Sequence, residues 1–231
     1  MKIVVGVLNH NRFPLLHQTL SSIDSLFSSY KLKFVLHDNN PNPEEKKLIK
    51  GFWGHMFDEI IWSNENIGIG GGVNSLHDYA RDEKADFYLH LENDWEMVRK
   101  KDDLIDTCVE YFKNIPKLGI IKLRKENDKQ YEMTLENYKK GISELYSPWW
   151  LEKIPNYVQS LSLCGELLHY AEVERGYTNN PHILRMDMIE DWRMKDDVKG
   201  KSIEEELWEL KPKREGWKTG CFQNGFFKHI G

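Results

Sequence analysis

The sequence predicts an α/β protein built on a mostly parallel sheet flanked by helices. Two observations predict this class: apolar, strand-length segments alternate with helix-length segments along residues 1–100, and polar residues collect where the strands end. Strands and helices that alternate with this spacing form parallel sheets, which bind ligands beyond the carboxyl ends of their strands. We therefore expect a ligand site where the polar segments meet.

The elements follow in chain order. A strand KIVVGVL (2–8) precedes an apolar-periodic helix over 13–27, and a strand LKFVLHD (32–38) precedes a polar helix over 43–51. A short strand EIIW (59–62) leads through a glycine-rich turn to a helix over 73–82, followed by the strand DFYLHLE (86–92). Beyond residue 102 the pattern predicts a helix to about residue 114 and a strand GIIKL (119–123). These assignments rest on hydrophobic periodicity and turn residues.

The composition limits the classes of function. With 231 residues, of which 40% are hydrophobic, the chain can bury a substantial core. A formal net charge of -5 argues against binding to nucleic acid through electrostatics alone. Three widely spaced cysteines support neither a disulfide framework nor a zinc knuckle, and no apolar stretch approaches 20 residues. We expect a cytoplasmic protein without a membrane span.

Two strand ends carry acids in apolar surroundings. Asp38 follows the run FVLH, where it caps a turn or accepts a hydrogen bond from a nucleobase imide. Glu92 and Asp94 follow FYLHL and, two residues apart, are expected on one side of the strand. Carboxylates so placed suit either a solvated turn or Mg²⁺ or Mn²⁺ shared with a diphosphate.

A glycine-rich segment, NENIGIGGGVN (64–74), precedes the third helix. Glycines there permit close approach of the backbone to a phosphate or a sugar. The segment matches neither the Walker pattern nor the dinucleotide fingerprint, because it lacks the Gly-Lys-Ser/Thr ending and follows the third strand.

Four segments, VVGVLNHNR, FVLHDNNP, NENIGIGGGVN and LENDW, resemble in order and spacing the signature segments of family 2 glycosyltransferases with the GT-A fold. The resemblance implies a single Rossmann-like domain over 1–231, with a nucleotide-sugar-binding half (1–100) and an acceptor-binding half (101–231). It implies that Asp38 contacts a pyrimidine and that Asp94 binds the metal, with Glu92 in place of the usual Asp. The implied nucleotide-sugar-binding residues are Asn9, Asn11, Arg12, Asp38, Asn66, Gly68, Gly71, Asn74 and Asn93.

In the second half, SIEEELWEL (202–210) resembles the acidic helix start that supplies the family's catalytic base. Glu205 is our first choice, with Glu204 and Glu206 beside it, and Glu190 and Asp191 of IEDW are rivals. Glu205 also completes a capping box with Ser202, which is a structural alternative.

The terminal FFKHIG resembles the segment whose His joins the metal in many GT-A enzymes, which implies that His229 is a further ligand. An ordinary surface or core His is the alternative.

The expected function is a metal-dependent, inverting glycosyltransferase, a hexosyl- or deoxyhexosyltransferase that uses Mn²⁺ or Mg²⁺. It would move a sugar from a UDP- or dTDP-sugar to an acceptor hydroxyl, with a glycan as the first choice and a protein or modified DNA as further acceptors. A nucleotidyltransferase is the alternative enzyme, although NHNR supplies no basic glycine-rich loop after the first strand. A non-catalytic nucleotide- or sugar-binding module is the other alternative.

Overall fold

The fold is known from a computed structural model that describes residues 1–26, 28–40, 42–125, 158–172, 179–190, 192–194 and 215–231. The strands are β1 Lys2–Asn9, β2 Lys31–Asp38, β3 Glu59–Trp62, β4 Phe87–Glu92, β5 Trp95–Met97, β6 Leu118–Lys122, β7 Gln159–Leu163, β8 Glu166–Glu172, β9 His182–Arg185, β10 Lys218–Phe222 and β11 Phe227–His229. The α-helices are α1 Phe13–Ile23, α2 Pro43–Trp53, α3 Gly68–Asp82 and α4 Leu104–Asn114, and a short 3₁₀ helix spans Met186–Ile189.

In the described part of the chain, a 9-stranded sheet has the order β3-β2-β1-β4-β9-β6-β10-β8-β7. The strands β1 to β4 run parallel to one another, and only β8 and β9 run against the direction shared by the rest of this sheet. The expected mostly parallel α/β sheet is therefore confirmed. Strands from before and after residue 100 join the same sheet.

Side chains of β1 pack on both faces of the sheet. Ile3, Val5 and Val7 join a core with α1, α2 and α4, whereas Val4 and Leu8 join a second core with α3 and the 3₁₀ helix. A strand that is covered on both faces carries apolar residues at nearly every position, which explains the unbroken apolar run IVVGVL in β1. The apolar run is followed by the polar residue Asn9, which is the last residue of β1.

The strand predictions for residues 2–92 are confirmed, but the start of α3 differs from the prediction. The glycine-rich segment was expected to form a turn before a helix at residue 73, whereas α3 begins at Gly68. Gly68 itself has a φ of 77°, a left-handed conformation that favours glycine. A Cβ on Gly72 would lie 2.5 Å from Leu8 Cδ1, so this glycine serves close packing of helix on sheet.

A second, two-stranded sheet pairs β5 with β11 in antiparallel register, with His229 opposite Trp95. This pairing brings the end of the chain against the turn that follows β4. Among the described residues, no helix is both long enough and apolar enough to cross a lipid bilayer.

Candidate functional site

Asn9 is the centre of a buried group of polar side chains at the carboxyl ends of β1, β2 and β4. We call this group the amide cluster; its members are Asn9, Asp38, Asn40, Glu45 and Asn93. Asn9 Nδ2 donates to Asp38 Oδ1 at 2.8 Å and to Glu45 Oε1 at 3.2 Å. These two bonds use both hydrogens of the Asn9 amide nitrogen, and Asn9 Oδ1 in turn accepts from Asn93 Nδ2 at 2.7 Å.

Asp38 is fully buried, with one oxygen bonded and one not. Among the described residues, no hydrogen-bond partner reaches Asp38 Oδ2. Burial raises the pKa of Asp38 to about 6, because a charged carboxylate is poorly solvated there; the hydrogen bond from Asn9 opposes this rise and the negative charge of Glu45 adds to it. A buried acceptor without a donor is costly, so Oδ2 is suited to receive a hydrogen bond from a ligand.

Asn39 fixes the segment that enters α3. Its Nδ2 donates to Asn66 Oδ1 and to the Gly68 carbonyl oxygen, both at 2.9 Å, and its Oδ1 accepts from the Ile67 amide at 2.8 Å. Asn66 Oδ1 also accepts from the Gly68 amide at 2.9 Å. The structure thus ties the predicted loop residues Asn66 and Gly68 to the end of β2.

The other predicted members of the glycine-rich segment have structural contacts. A Cβ on Gly71 would lie 3.0 Å from Ile67 Cγ1, so the glycine permits a tight first turn of α3. The Asn74 side chain donates to the Met194 carbonyl oxygen and accepts from the Met194 amide, both at 2.8 Å. Asn74 therefore holds the segment 192–194 on α3.

Asp94 is the centre of a second group, the Asp94 group, with Arg12 and His229. Arg12 Nη1 donates to Asp94 Oδ2 at 3.0 Å, and His229 Nε2 lies 3.3 Å from the same oxygen. Asp94 Oδ1 is buried and, within the described ranges, has no hydrogen-bond partner. The Arg12 side chain is 54% exposed, so the ion pair lies at the surface of the site.

Several elements place Asp94. Thr19 of α1 donates through Oγ1 to the Asn93 carbonyl oxygen at 2.9 Å and accepts from the Trp95 amide at 3.2 Å, which fastens the turn to the helix. The Ile230 amide donates to the Asp94 carbonyl oxygen at 2.9 Å. His229 approaches because β11 pairs with β5, and its ring lies 5.0 Å from that of Trp95.

The expectation that Glu92 and Asp94 lie on one side of a strand does not apply, because Asp94 is not part of a strand. β4 ends at Glu92, and Asn93 and Asp94 form a turn before β5. In the described part of the chain, no group of three or more His, Cys, Asp or Glu side chains is arranged to hold a metal ion, so Glu92 is not brought together with Asp94 and His229. The donor set nevertheless suits Mn²⁺, because Asp94 Oδ1 lacks a donor and an imidazole stands beside Oδ2.

Asn11 lies at the rim of the amide cluster. It has a φ of 51°, and its Oδ1 accepts from Asn40 Nδ2 at 3.4 Å. The candidates for the base, Glu204, Glu205 and Asp191, lie outside the described residues. Glu190, which precedes Asp191, is exposed, and Arg81 of α3 donates to the carbonyl oxygens of Ile189 and Trp192 on either side.

Sequence reasoning did not assign to the site three residues that organise it: Asn39, Asn40 and Glu45. Asn39 and Asn40 stand in the quoted segment HDNNP, and their polarity directly after a buried strand was the available signal. Glu45 had no such signal, because acids are common in the first turn of any helix.

No family model matches this sequence, and no curated protein matches it either. Solved structures do resemble the fold. The mannosyltransferase PcManGT from Pyrobaculum calidifontis, in complex with GDP-Man and Mn2+, has a TM-score of 0.60 and 12% identity over 94% of this chain. S. aureus TarS 1-349 in complex with UDP-GlcNAc has a TM-score of 0.63 and 12% identity over 100% of this chain.

This chain spans 53% of the mannosyltransferase chain and 60% of the TarS 1-349 chain. Likeness at this level of identity establishes the fold, a mixed α/β architecture with a large, mostly parallel sheet flanked by helices.

Proposed function

We propose that the protein is a metal-dependent glycosyltransferase that moves a sugar from a UDP- or dTDP-sugar to an acceptor hydroxyl, with inversion at the anomeric carbon. The observation that carries this proposal is Asp38, a fully buried carboxylate at the end of a parallel strand, one oxygen of which has no hydrogen-bond partner among the described residues. Asp38 is the last residue of β2, and nucleotides bind beyond the carboxyl ends of the strands in such sheets.

The chemistry of Asp38 favours uracil or thymine. A carboxylate only accepts hydrogen bonds, and the N3–H group of either base donates one, whereas N3 of cytosine is itself an acceptor. The Asn9 amide holds Asp38 Oδ1 and leaves Oδ2 for the base. Two of the structural neighbours support a nucleotide-sugar donor, since PcManGT holds GDP-Man and TarS 1-349 holds UDP-GlcNAc.

In this proposal Asp94 and His229 hold a Mn²⁺ or Mg²⁺ ion, and Glu92, which the fold does not bring together with them, acts on the ion through water. Support comes from Asp94 Oδ1, which has no hydrogen-bond partner in the part of the chain that the structure describes, from the His229 imidazole beside Oδ2, and from Mn2+ in the PcManGT complex. Bound there, a divalent ion supplies neutralisation of the charge that develops on the departing diphosphate.

The remaining steps belong to side chains of this chain. Asp38 orients the donor by accepting from the base, and Asn39 keeps the entry of α3 against the nucleotide side of the sheet. Glu205, the sequence-based choice, takes the proton of the acceptor hydroxyl as that oxygen attacks the anomeric carbon. A glycan is the preferred acceptor.

The test is nucleotide release by the purified protein in Mn²⁺ with a panel of nucleotide sugars. We expect UDP or dTDP to be released and to depend on the divalent ion and on Asp38. Pyrophosphate release from nucleoside triphosphates would instead favour a nucleotidyltransferase. Tight UDP binding without turnover on any acceptor class would favour a non-catalytic binding module.

A further inference from the structure

We propose that Glu45 is a positioning residue for nucleotide recognition, one that holds the Asn9 amide so that Asp38 presents its free oxygen to the base. The inference rests on the proposed function, since it assigns Asp38 to the base. Glu45 belongs to α2 and is only 7% exposed, which is unusual for an acid.

The geometry gives Glu45 two partners. Its Oε1 accepts from Asn9 Nδ2 at 3.2 Å, and its Oε2 accepts from Asn40 Nδ2 at 2.8 Å. The same Asn9 nitrogen donates to Asp38 Oδ1, so one amide group joins the two carboxylates. Glu45 thus fixes the orientation of the group that in turn fixes Asp38.

A carboxylate suits this place better than an amide does. Both Glu45 oxygens face NH₂ donors, so a glutamine would turn its own NH₂ group toward one of them and lose an acceptor. The start of α2 tolerates the charge, because free amides at a helix N-terminus stabilise negative groups.

Glu45 also acts on Asp38 through its charge. Burial is the main cause of the raised pKa of Asp38, and the negative charge of Glu45 raises it further. Asn9 opposes this rise by donating its hydrogen bond, and the positive charges of Lys46 on α2 and of His10 after β1 oppose it as well. Removing the charge of Glu45 therefore lowers the pKa of Asp38.

The experiment measures UDP affinity by calorimetry from pH 5 to pH 8 in the parent, Glu45→Gln and Glu44→Gln. Glu44→Gln is the matched control, because Glu44 lies in the same helical turn and its substitution removes the same charge. In the described structure the Glu44 carboxylate pairs only with the exposed side chain of Lys47. The parent is expected to lose affinity as pH falls through the pKa of Asp38. In Glu45→Gln the midpoint of that loss should move to lower pH by roughly half a unit or more.

The variant Glu45→Asp distinguishes the effect of side-chain length at position 45 from the effect of its negative charge. It keeps the negative charge but is one methylene shorter, so it is expected to lose contact with Asn9 or Asn40 while Asp38 keeps its midpoint. UDP affinity at pH 8 should fall about tenfold in Glu45→Asp and in Glu45→Gln, the usual effect of a lost hydrogen bond to a charged group. Glu44→Gln should match the parent in affinity and midpoint.

The inference is overturned if Glu45→Gln binds UDP with the parent's affinity and midpoint. It is also overturned if both Glu45 variants lose affinity in proportion to a fall in melting temperature, with the midpoint unmoved, because Glu45 would then only stabilise the fold. Absence of UDP binding by the parent at every pH would be a different failure, since it removes the proposed function itself.

Discussion

Asp38 and Asp94 are both acids at strand ends, yet their surroundings differ. Asp38 is fully buried among amides, whereas the Asp94 side chain is 13% exposed and meets Arg12 and His229 at the surface of the site. The Asp38 carboxylate accepts a hydrogen bond from the neutral amide of Asn9, which suits recognition of a neutral base. Asp94 is held by cationic or basic groups at the surface, which suits a site that accepts a metal ion.

The largest effect is expected at Asp94. Asp94→Ala should weaken Mn²⁺-dependent UDP binding by about a hundredfold or more, because it removes the principal ligand. The melting temperature should change little, since an exposed ion pair contributes at most about 1 kcal/mol. Glu92→Ala is the control and should be milder; an equal or greater loss at Glu92 would reverse the order of the two ligands.

The next effect concerns turnover rather than binding. Glu205→Gln should lower the rate by roughly a hundredfold, because an amide cannot take the acceptor proton, and should leave UDP affinity and melting temperature unchanged. Glu204→Gln, Glu206→Gln and Asp191→Asn should lose much less. If Asp191→Asn is the inactive variant, the catalytic base belongs to the segment IEDW and not to SIEEELWEL.

Smaller effects are expected at Asp38, where substitution should lower UDP affinity but raise the stability of the fold. Asp38→Asn should bind UDP about tenfold more weakly and yet be more stable than the parent at pH 8. The folded pKa of about 6 lies above the ordinary value of 3.8, so the charged carboxylate destabilises the fold above pH 6 and this penalty disappears as pH falls toward 4.

Thermal unfolding of Asp38→Asn and the parent from pH 4 to pH 8 checks the stability part of this prediction. The stability difference between the two proteins should be largest at pH 8 and vanish near pH 4. Burial lowers the pKa values of His37, His77 and His90, which makes acid destabilise both proteins alike, so only the difference reports on Asp38. A difference that is constant with pH would contradict the raised pKa of Asp38.

The smallest effect is expected at Arg12. Its guanidinium pairs with Asp94 Oδ2, where it would compete with the proposed metal ion. Arg12→Ala should therefore bind Mn²⁺ up to about fivefold more tightly, within the range of an exposed ion pair, and the gain should shrink at high salt. Manganese titration in the absence of nucleotide checks this, and weaker binding by the variant would show that Arg12 assists the metal site.

Most of the fold in the first half was predictable because β1, β4 and residues 35–38 of β2 form buried runs that end in polar residues. Asp38 and Asp94 could be selected for the same reason, since each follows an apolar strand. The start of α3 was not predictable, because the side chain of Asn39, distant in sequence, determines where that helix begins. The contact of His229 with Asp94 depends on the pairing of β11 with β5, which no local pattern encodes.

Glu45 illustrates a second limit of sequence reasoning. In the sequence it is one of two adjacent acids at the start of a helix, and nothing distinguishes it from Glu44. In the structure Glu44 is exposed and Glu45 is buried against Asn9, because α2 turns only the second acid toward the end of β1. Burial, which separates the two, is a property of tertiary packing.

Competition binding of UDP, dTDP and CDP at pH 8 tests the central claim most directly, namely that Asp38 reads a pyrimidine that donates from N3. We expect UDP and dTDP to bind on the order of tenfold or more tightly than CDP, since cytosine would place an acceptor against a buried carboxylate. The preference should narrow below pH 6, where Asp38 gains a proton and itself becomes a donor. Equal affinity for the three nucleotides at pH 8 would contradict the assignment of Asp38 to the base.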